Sequence, residues 1–408
     1  MAKDVNPPRG MRDFLPVEKS RRDAVLTKIR ETYLGHGFQE IETPAMEDLA
    51  KLTSGQGGDN EKLAFRVMKR GAELESALAA NQGQDNLADL GLRYDLTVPL
   101  TRYYATNRSK LPTVFKALQT GPVWRAERPQ KGRYRQFVQC DIDIIGDSSL
   151  LAEIELLNAS LDALAEIGLA QATIRVNHRV LLSNLLEQLG VPEDGRGSAM
   201  ITIDKLDKIA AEGVVAELAE KFDTAVAERA AAWLNAIAGD LPVPAELAKI
   251  FSAIEAKHGS GKLRFDPTLV RGMGYYTGTI FEIEHPESGS SIGGGGRYDG
   301  MVGRWLGADV PAVGISIGFE RAVDLVRPDA AEDKSLVLIL DSAEPGVIGN
   351  ALNLQQVAIA AGYRVRLEQR PKKVSLLLDS MAQQGFNNFA SVGANSTGFD
   401  SLLIKPIA

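Results

Sequence analysis

The stretch VWRAERPQKGRYRQFVQCDIDIIG, residues 123–146, decides how the chain is read. With VFKALQTGP just before it, it gives two strand-like runs joined by a charged connection. Alternation at period two puts Gln139 and Asp143 on one strand face with Phe137. The connection is basic: Arg125, Arg128, Lys131, Arg133 and Arg135 stand against one acid, Glu127. A solvated hairpin tip presents the same kind of cluster. Two features pull the other way. Arg125 and Arg133 lie beside the strands, and Trp124, Tyr134 and Phe137 interleave with the cations. Arginine forks match phosphate oxygens, and an aromatic face stacks on a purine. The pattern suits ATP, an RNA end, or both.

Working outward, residues 19–34 read as an amphipathic helix, and GFQEIETPAMEDL as a short strand ending at Pro44. Residues 82–91 are polar and loop-like. LRYDLTVPLTRYYA follows as a strand-like run, then a helix-like one. Residues 150–167 spell a helix with Gly168 just past its end. Residues 178–262 are rich in Ala, Leu, Glu and Lys at helical spacing and read as a helical insertion. Strand signals return at 263–284 and continue through a glycine-rich segment to AVGISIGFERAVDLV, a strand running into a helix. RPDAAEDK, 327–334, reads as a linker. Beyond it, LVLIL, YRVRLE and NNFASVG alternate with helical runs as a small α/β domain. The expected division is a core in two parts, 1–177 and 263–328, the insertion 178–262, and a C-terminal domain 335–408.

The 408 residues are too many for one compact core. No window approaches an uninterrupted apolar span, the first residues lack a signal-type apolar core, and Cys140 is the only cysteine. These features give the expectation of a cytoplasmic protein without disulfides, Cys-based metal sites or a membrane span. The formal net charge of −7 argues against non-specific coating of nucleic acid. Local basic patches are compatible with it, because screening confines surface fields to roughly 10 Å.

Other segments carry candidate chemistry. LVRGMGYYTGTIFE, 269–282, sets an arginine among glycines and tyrosines between apolar flanks. Arg321 follows a strand and opens a helix, where an ordinary surface arginine also fits. SSIGGGGRYDGMVG matches neither common phosphate-loop pattern. It reads either as a flexible turn or as backbone placed to approach a small molecule. Asp95, Asp141 and Asp143 are either structural acids or holders of an ammonium or imidazolium group. The four histidines lack metal-ligand spacing.

Taken together, these segments resemble class II aminoacyl-tRNA synthetases, and among them the histidyl-tRNA synthetases. GFQEIETPAMED is similar to motif 1, the dimer-interface element. VWRAERPQKGRYRQFVQCDIDIIG is similar to motif 2, and GISIGFERAVDLV to motif 3. LVRGMGYYTGTIFE and GGGGRYDGMVG resemble the two signatures peculiar to the histidine enzymes. The match runs in family order over about residues 7–326. The resemblance implies an α+β fold: a mixed, mainly antiparallel sheet flanked by helices, with a helical insertion and a small C-terminal α/β domain.

It also implies ligation of L-histidine to tRNA(His) through a histidyl-adenylate, with ATP as substrate, Mg²⁺ on the phosphates, and a homodimer. By the same resemblance Arg271 and Arg125 reach the α-phosphate. Asp95, Leu96, Thr97, Gln139, Asp143, Tyr275 and Tyr276 surround the histidine. Glu127, Arg133, Phe137 and Arg321 join Arg125 around ATP, with Phe137 and Arg321 on the two faces of the adenine. The chain departs from the family at Gly274, where an acid is usual. In the C-terminal domain Arg364, Arg366, Arg370, Lys372 and Lys373 are either RNA contacts or solvated surface. One alternative is a histidine-sensing regulatory subunit of ATP phosphoribosyltransferase. Another is a stand-alone ligase for a different acceptor. The arginine signature, the basic hairpin and the extra domain speak against both.

Overall fold

A computed structural model describes residues 5–53, 58–80, 83–130, 132–237, 239, 241–271, 276–327 and 334–407. Lys131, Gly274, Tyr275 and most of the stretch 327–334 lie outside the described residues. The chain divides into two compact units, Met1–Asp13 with Ala24–Val326, and Phe14–Asp23 with Arg327–Ala408.

In chain order the elements begin with α1 (Pro16–Gly35), β1 (Gln39–Glu40), β2 (Met46–Asp48), α2 (Leu49–Leu52), β3 (Arg66–Met68) and α3 (Gly71–Ala79). They continue with β4 (Ala88–Leu92), α4 (Thr97–Asn107), β5 (Phe115–Trp124), β6 (Gln136–Ile145), α5 (Leu150–Glu166) and β7 (Thr173–His178). Five helices follow: α6 (Arg179–Gln188), α7 (Arg196–Ile203), α8 (Leu206–Lys221), α9 (Thr224–Ala236) and α10 (Ala245–His258). The first unit closes with β8 (Leu263–Phe265), β9 (Thr279–Glu284), β10 (Gly293–Arg297), α11 (Asp299–Leu306), β11 (Ala312–Gly318) and α12 (Phe319–Leu325).

Eight of these strands form one sheet in the order β1-β5-β6-β11-β10-β9-β7-β8. The outermost pairs are parallel and every pair between them is antiparallel. Period-two alternation gives the sheet two different faces. Cys140, Ile142 and Ile144 of β6, Phe281 and Ile283 of β9, and Val313, Ile315 and Ile317 of β11 enter the main core. Leu156, Leu157 and Leu164 of α5 and Leu247, Ile250 and Phe251 of α10 belong to the same core. Burying each large apolar side chain contributes roughly 1.5–3 kcal/mol. The alternate residues, Asp141, Asp143, Glu282 and Ser316, form the floor of the site. Gly168, at φ 84°, stops the chain's helical course just past α5.

Four segments depart from the sequence expectation. The strand read as running to Pro44 stops at Glu40, and the loop-like residues 82–91 already enter β4 at Ala88. LRYDLTVPLTRYYA is strand only to Leu92, and α4 starts at Thr97. The Asp95 carboxylate accepts from the Val98 backbone N–H at 3.1 Å, closing the first helical turn, where Pro99 costs no hydrogen bond. The glycine run is neither a turn nor a loop. It is β10, between β9 and β11 in the middle of the sheet. A Cβ on Gly295 would lie 2.0 Å from the Gly314 carbonyl oxygen, so this close strand approach excludes a side chain there.

Helices α6–α9 build a second core from Leu186, Ala199, Val214, Leu218, Val226 and Ala230, which also takes in Leu269, Val270 and Ile280. Helix α10 packs into the sheet core instead. A three-stranded sheet, β2-β4-β3, lies earlier in the chain. Among the described residues no helix is long and apolar enough to cross a membrane.

The second unit holds β12 (Ser335–Leu340), α13 (Pro345–Ala360), β13 (Arg364–Gln369), α14 (Val374–Gln383), β14 (Asn388–Val392) and β15 (Lys405–Pro406). Its sheet order is β13-β12-β14-β15, with β12 parallel to both β13 and β14. Leu336 and Leu338 pack with Val347, Ala351 and Leu354 of α13. Val337 and Ile339 pack on the other face with Met381 of α14.

Candidate active site

Two rows of residues cross the polar face of the large sheet. In the first, register pairs Asp141 with Ser316, Ser316 with Gly294, Gly294 with Glu282, and Glu282 with Arg175. In the second, Asp143 pairs with Gly314, Gly314 with Gly296, and Gly296 with Ile280. The glycines clear floor space for side chains that arrive from elsewhere. A Cβ on Gly294 would lie 2.5 Å from Arg271 Nη1, and one on Gly296 would lie 2.9 Å from the Tyr276 ring. One on Gly314 would lie 1.9 Å from Asp143 Oδ1.

The acidic end is dry. Gln139, Asp141 and Asp143 are buried, as are Asp95 and Leu96 on the loop into α4. Gln139 Nε2 donates to Ser316 Oγ at 3.2 Å and reaches both Asp141 oxygens at 3.4 Å. The Tyr298 hydroxyl donates to Asp143 Oδ1 at 2.5 Å. Gln139 Oε1 and Asp143 Oδ2 are buried acceptors with no hydrogen-bond partner among the described residues. Burial pushes the Asp143 carboxyl up to about 7; the Tyr298 hydrogen bond opposes the rise and the Asp95 charge adds to it. Burial raises Asp141 well above the carboxylate range, and Asp143 raises it further. Burial also raises the Tyr276 hydroxyl, against the pull of Arg271.

The basic end holds four arginines. Arg271 is paired with Glu282 and donates to Ser291 Oγ at 3.2 Å. Arg125 donates from Nε to the Tyr94 carbonyl at 3.0 Å and lies 5.0 Å from the centre of the Phe137 ring. Arg133, on the hairpin, faces Glu127 at 3.6 Å and is half exposed. Arg321, at the start of α12, donates to the Gly132 carbonyl at 3.3 Å and to the Ser291 carbonyl. Burial lowers the Arg321 pKa, and Arg133 and Arg271 add to the effect. The hairpin tip turns at Gly132, at φ 74°.

The structure therefore places Gln139, Asp143 and Tyr276 on or above the sheet floor, with Arg271 beside them. Asp95, Leu96 and Thr97 line the approach to α4, and Gln119 ties Leu96 to β5 through its carbonyl at 3.1 Å. Tyr275 lies outside the described residues. Sequence reasoning assigned no role to Tyr298, Ser316, Ser291, Glu282 or Glu320. Glu320 is buried; it accepts from the Val138 backbone N–H at 3.1 Å and from Arg12 at 2.5 Å. Arg12 also lies 3.6 Å over the Tyr134 ring, so the N-terminal arm braces the base of the hairpin. Tyr298 sat inside a quoted signature, yet nothing local tied it to an acid 155 residues away.

Residues 10–322 match the family described as Histidyl-tRNA synthetase. The chain is 52% identical to the histidine–tRNA ligase of Leifsonia xyli subsp. xyli, an alignment covering 100% of this chain and 99% of that protein. It is 40% identical to a probable histidine–tRNA ligase of Tropheryma whipplei strain Twist, over 99% of each. The crystal structure of histidyl-tRNA synthetase from Nostoc sp. PCC 7120 superposes with a TM-score of 0.79 at 25% identity, covering 99% of this chain and 95% of that one. The mainly antiparallel sheet, the polar floor beneath Arg271 and these likenesses along the whole chain agree: the chain belongs to the histidyl-tRNA synthetase family of class II aminoacyl-tRNA synthetases.

Proposed function

We propose that this chain activates L-histidine with ATP and transfers it to tRNA(His). The observation that carries the reading is a pair of buried acceptors without partners among the described residues, Gln139 Oε1 and Asp143 Oδ2, on the sheet that also carries Gly294, over which Arg271 lies. Buried acceptors without partners are costly, and a ligand that brings N–H donors relieves them. An amino acid with an imidazole ring and an ammonium group brings such donors. Asp95 and Thr97 are assigned to the ammonium end, Gln139, Asp143, Tyr275 and Tyr276 to the rest of the amino acid.

In the first step a histidine carboxylate oxygen attacks the α-phosphorus of ATP, and the bond to pyrophosphate breaks. Arg271 and Arg125 supply positive charge where negative charge gathers. Arg133 is assigned to the terminal phosphates, Glu127 to the adenine side, and Phe137 and Arg321 to the faces of the base. In the second step a ribose hydroxyl of the terminal tRNA adenosine attacks the acyl carbon, and AMP leaves. Positioning and charge do this work, and no protein nucleophile is required. Among the described residues no three His, Cys, Asp or Glu side chains converge as a metal site. We assign Mg²⁺ to the phosphates of the nucleotide, where its charge would offset theirs.

A homodimer built on the motif 1 segment and a cytoplasmic location belong to the same reading. In the C-terminal unit Arg366 is engaged by Glu368 at 2.6 Å, Arg364 by the Gly385 carbonyl at 2.7 Å, and Arg370 by Asp341. Exposed Lys372 and Lys373 are the freer candidates for RNA phosphates there. The test is histidine-dependent exchange of pyrophosphate into ATP, with other amino acids as controls and Arg271→Ala alongside. Exchange with histidine alone, cut by orders of magnitude to a small measurable rate in the variant, is expected. Tight histidine binding without exchange would favour a sensor subunit instead.

A further inference from the structure

Glu282 stands between two arginines. Its Oε2 pairs with Arg271 Nε, and its Oε1 takes Arg175 Nη1 at 2.9 Å. Arg175 is held in turn by Asp266 at 2.5 Å and Glu284 at 3.2 Å, and it faces Asp207 of α8 at 3.9 Å. Arg264 pairs with Glu284 at 2.8 Å. The inner members are dry: the Glu282, Arg175 and Asp266 side chains are 13%, 11% and 9% exposed, whereas Arg271 is 37% exposed. One end of the chain of charges is thus locked into the sheet, and the other end opens on the site.

We propose that Glu282 is a positioning residue for the reaction, acting through Arg271. This rests on the reading of Arg271 given above. An arginine on a segment that enters the site from outside the sheet has many rotamers, and fixing one of them costs entropy. Glu282 meets that cost before ATP arrives. Because Arg175 pins the far oxygen, the carboxylate cannot rotate to follow Arg271, and Arg271 must come to it. Pairing at Nε lays the guanidinium across Gly294, where a Cβ would collide with Nη1. Ser291 then takes Nη2 at 3.2 Å. The remaining N–H groups of the fork are left to an incoming anion. Arg175 matters as the anchor of the anchor. With Asp266 and Glu284 also on it, Arg175 does not depend on Glu282 for its own neutralisation, so Glu282 keeps charge for Arg271. Pairing of this kind is preorganisation: it fixes a cation for a transition state without adding a contact to substrate.

The experiment is a double-mutant cycle in histidine-dependent pyrophosphate exchange. Glu282→Gln keeps the shape and removes the charge. It is expected to lower kcat by about ten- to a hundredfold while moving KM for histidine and ATP by less than about threefold. In the Arg271→Ala background the same change is expected to cost less than about twofold, because the group it positions is gone. Glu282→Asp, which keeps the charge, should recover part of kcat and gives the same readout if the glutamine variant melts early. Unchanged kcat in Glu282→Gln would overturn the proposal. So would an equal loss in both backgrounds, which marks a general structural role. A wild-type protein silent in exchange sinks the proposed function first, and this inference with it, a result that the wild-type control alone reveals.

Discussion

Tyr298 and Asp143 are joined by a hydrogen bond of 2.5 Å from the phenol to Oδ1, while Oδ2 is buried with no hydrogen-bond partner among the described residues. The tyrosine lowers the carboxyl and burial raises it, with a net result of about 7. Asp143 accepts a ligand N–H best when ionised. Histidine affinity is therefore expected to strengthen as pH rises through about 7. Tyr298→Phe should move that rise to higher pH and weaken binding at neutral pH by about tenfold, since a hydrogen bond to a charged group contributes about 1.5–3 kcal/mol. Calorimetric titration of histidine at several pH values checks both statements.

The same carboxyl predicts a pH dependence of stability in the ligand-free protein. Its folded value of about 7 exceeds the ordinary 3.8, so the folded state holds a proton that the unfolded chain releases. This contribution is full below the unfolded value and is lost as pH rises through about 7. Asp143→Asn should therefore be more stable than wild type at pH near 8, by at most about 4 kcal/mol, and lose the advantage progressively as pH falls to about 4. Urea unfolding at the two pH values measures it.

Gly314→Ala should unseat Asp143 without unfolding the sheet. The new methyl would lie 1.9 Å from Oδ1, a side-chain atom that can move away. Movement breaks the Tyr298 hydrogen bond and removes the acceptor from the site. A rise of at least tenfold in KM for histidine is expected, with a stability cost of about 1–3 kcal/mol. Steady-state exchange and thermal melts separate the two effects.

Arg297 holds Glu153 through two contacts, at 2.6 and 2.7 Å, with the glutamate side chain 2% exposed. Arg297→Met would leave that carboxylate buried without its counter-charge, with the Thr279 hydroxyl at 3.2 Å as a neutral donor. A loss of about 3–5 kcal/mol is expected, and Arg297→Met with Glu153→Leu should recover much of it. Chemical denaturation of the three variants decides.

Ala210 sits at φ 57° and ψ −179° within α8, a conformation that suits glycine and strains any L side chain. Ala210→Gly is expected to raise stability by about 1 kcal/mol and to leave the exchange reaction unaltered.

The sequence was most informative where chemistry and period coincide. Val138, Cys140, Ile142 and Ile144 alternate with Phe137, Gln139, Asp141 and Asp143, and this alone set the core face of β6 against its site face. The hairpin of β5 and β6 was legible for the same reason. The glycine run was not, because four residues without side chains carry no alternation. Nor was α4, whose start depends on an Asp95 cap rather than on periodicity. The anchor of Glu282 was hidden by distance along the chain, for Arg175 and Glu282 meet across 107 residues. Gln139 and Asp143 were assigned by the family resemblance, and their place on one strand face agrees with the alternation read from the sequence. Tyr298 and Ser316 were missed because they reach that strand from others.

The glycine strand has a consequence for how the protein assembles. β10 buries little apolar surface of its own and loses more chain entropy than other strands on ordering. It is held by the backbones of β9 and β11, which lie on either side of it. One side brings Gln139, Asp143 and Ser316, and the other brings Glu282 and Arg175. Pairing β10 with these neighbours is local in sequence, whereas the outer joins bring Ala312 to Ile145 and Thr279 to His178 across long stretches of chain and are expected to come late. A refolding chain would then show nearly all of its helix before it shows any activity, and the return of adenylate chemistry would time the closing of those outer joins around the glycine strand.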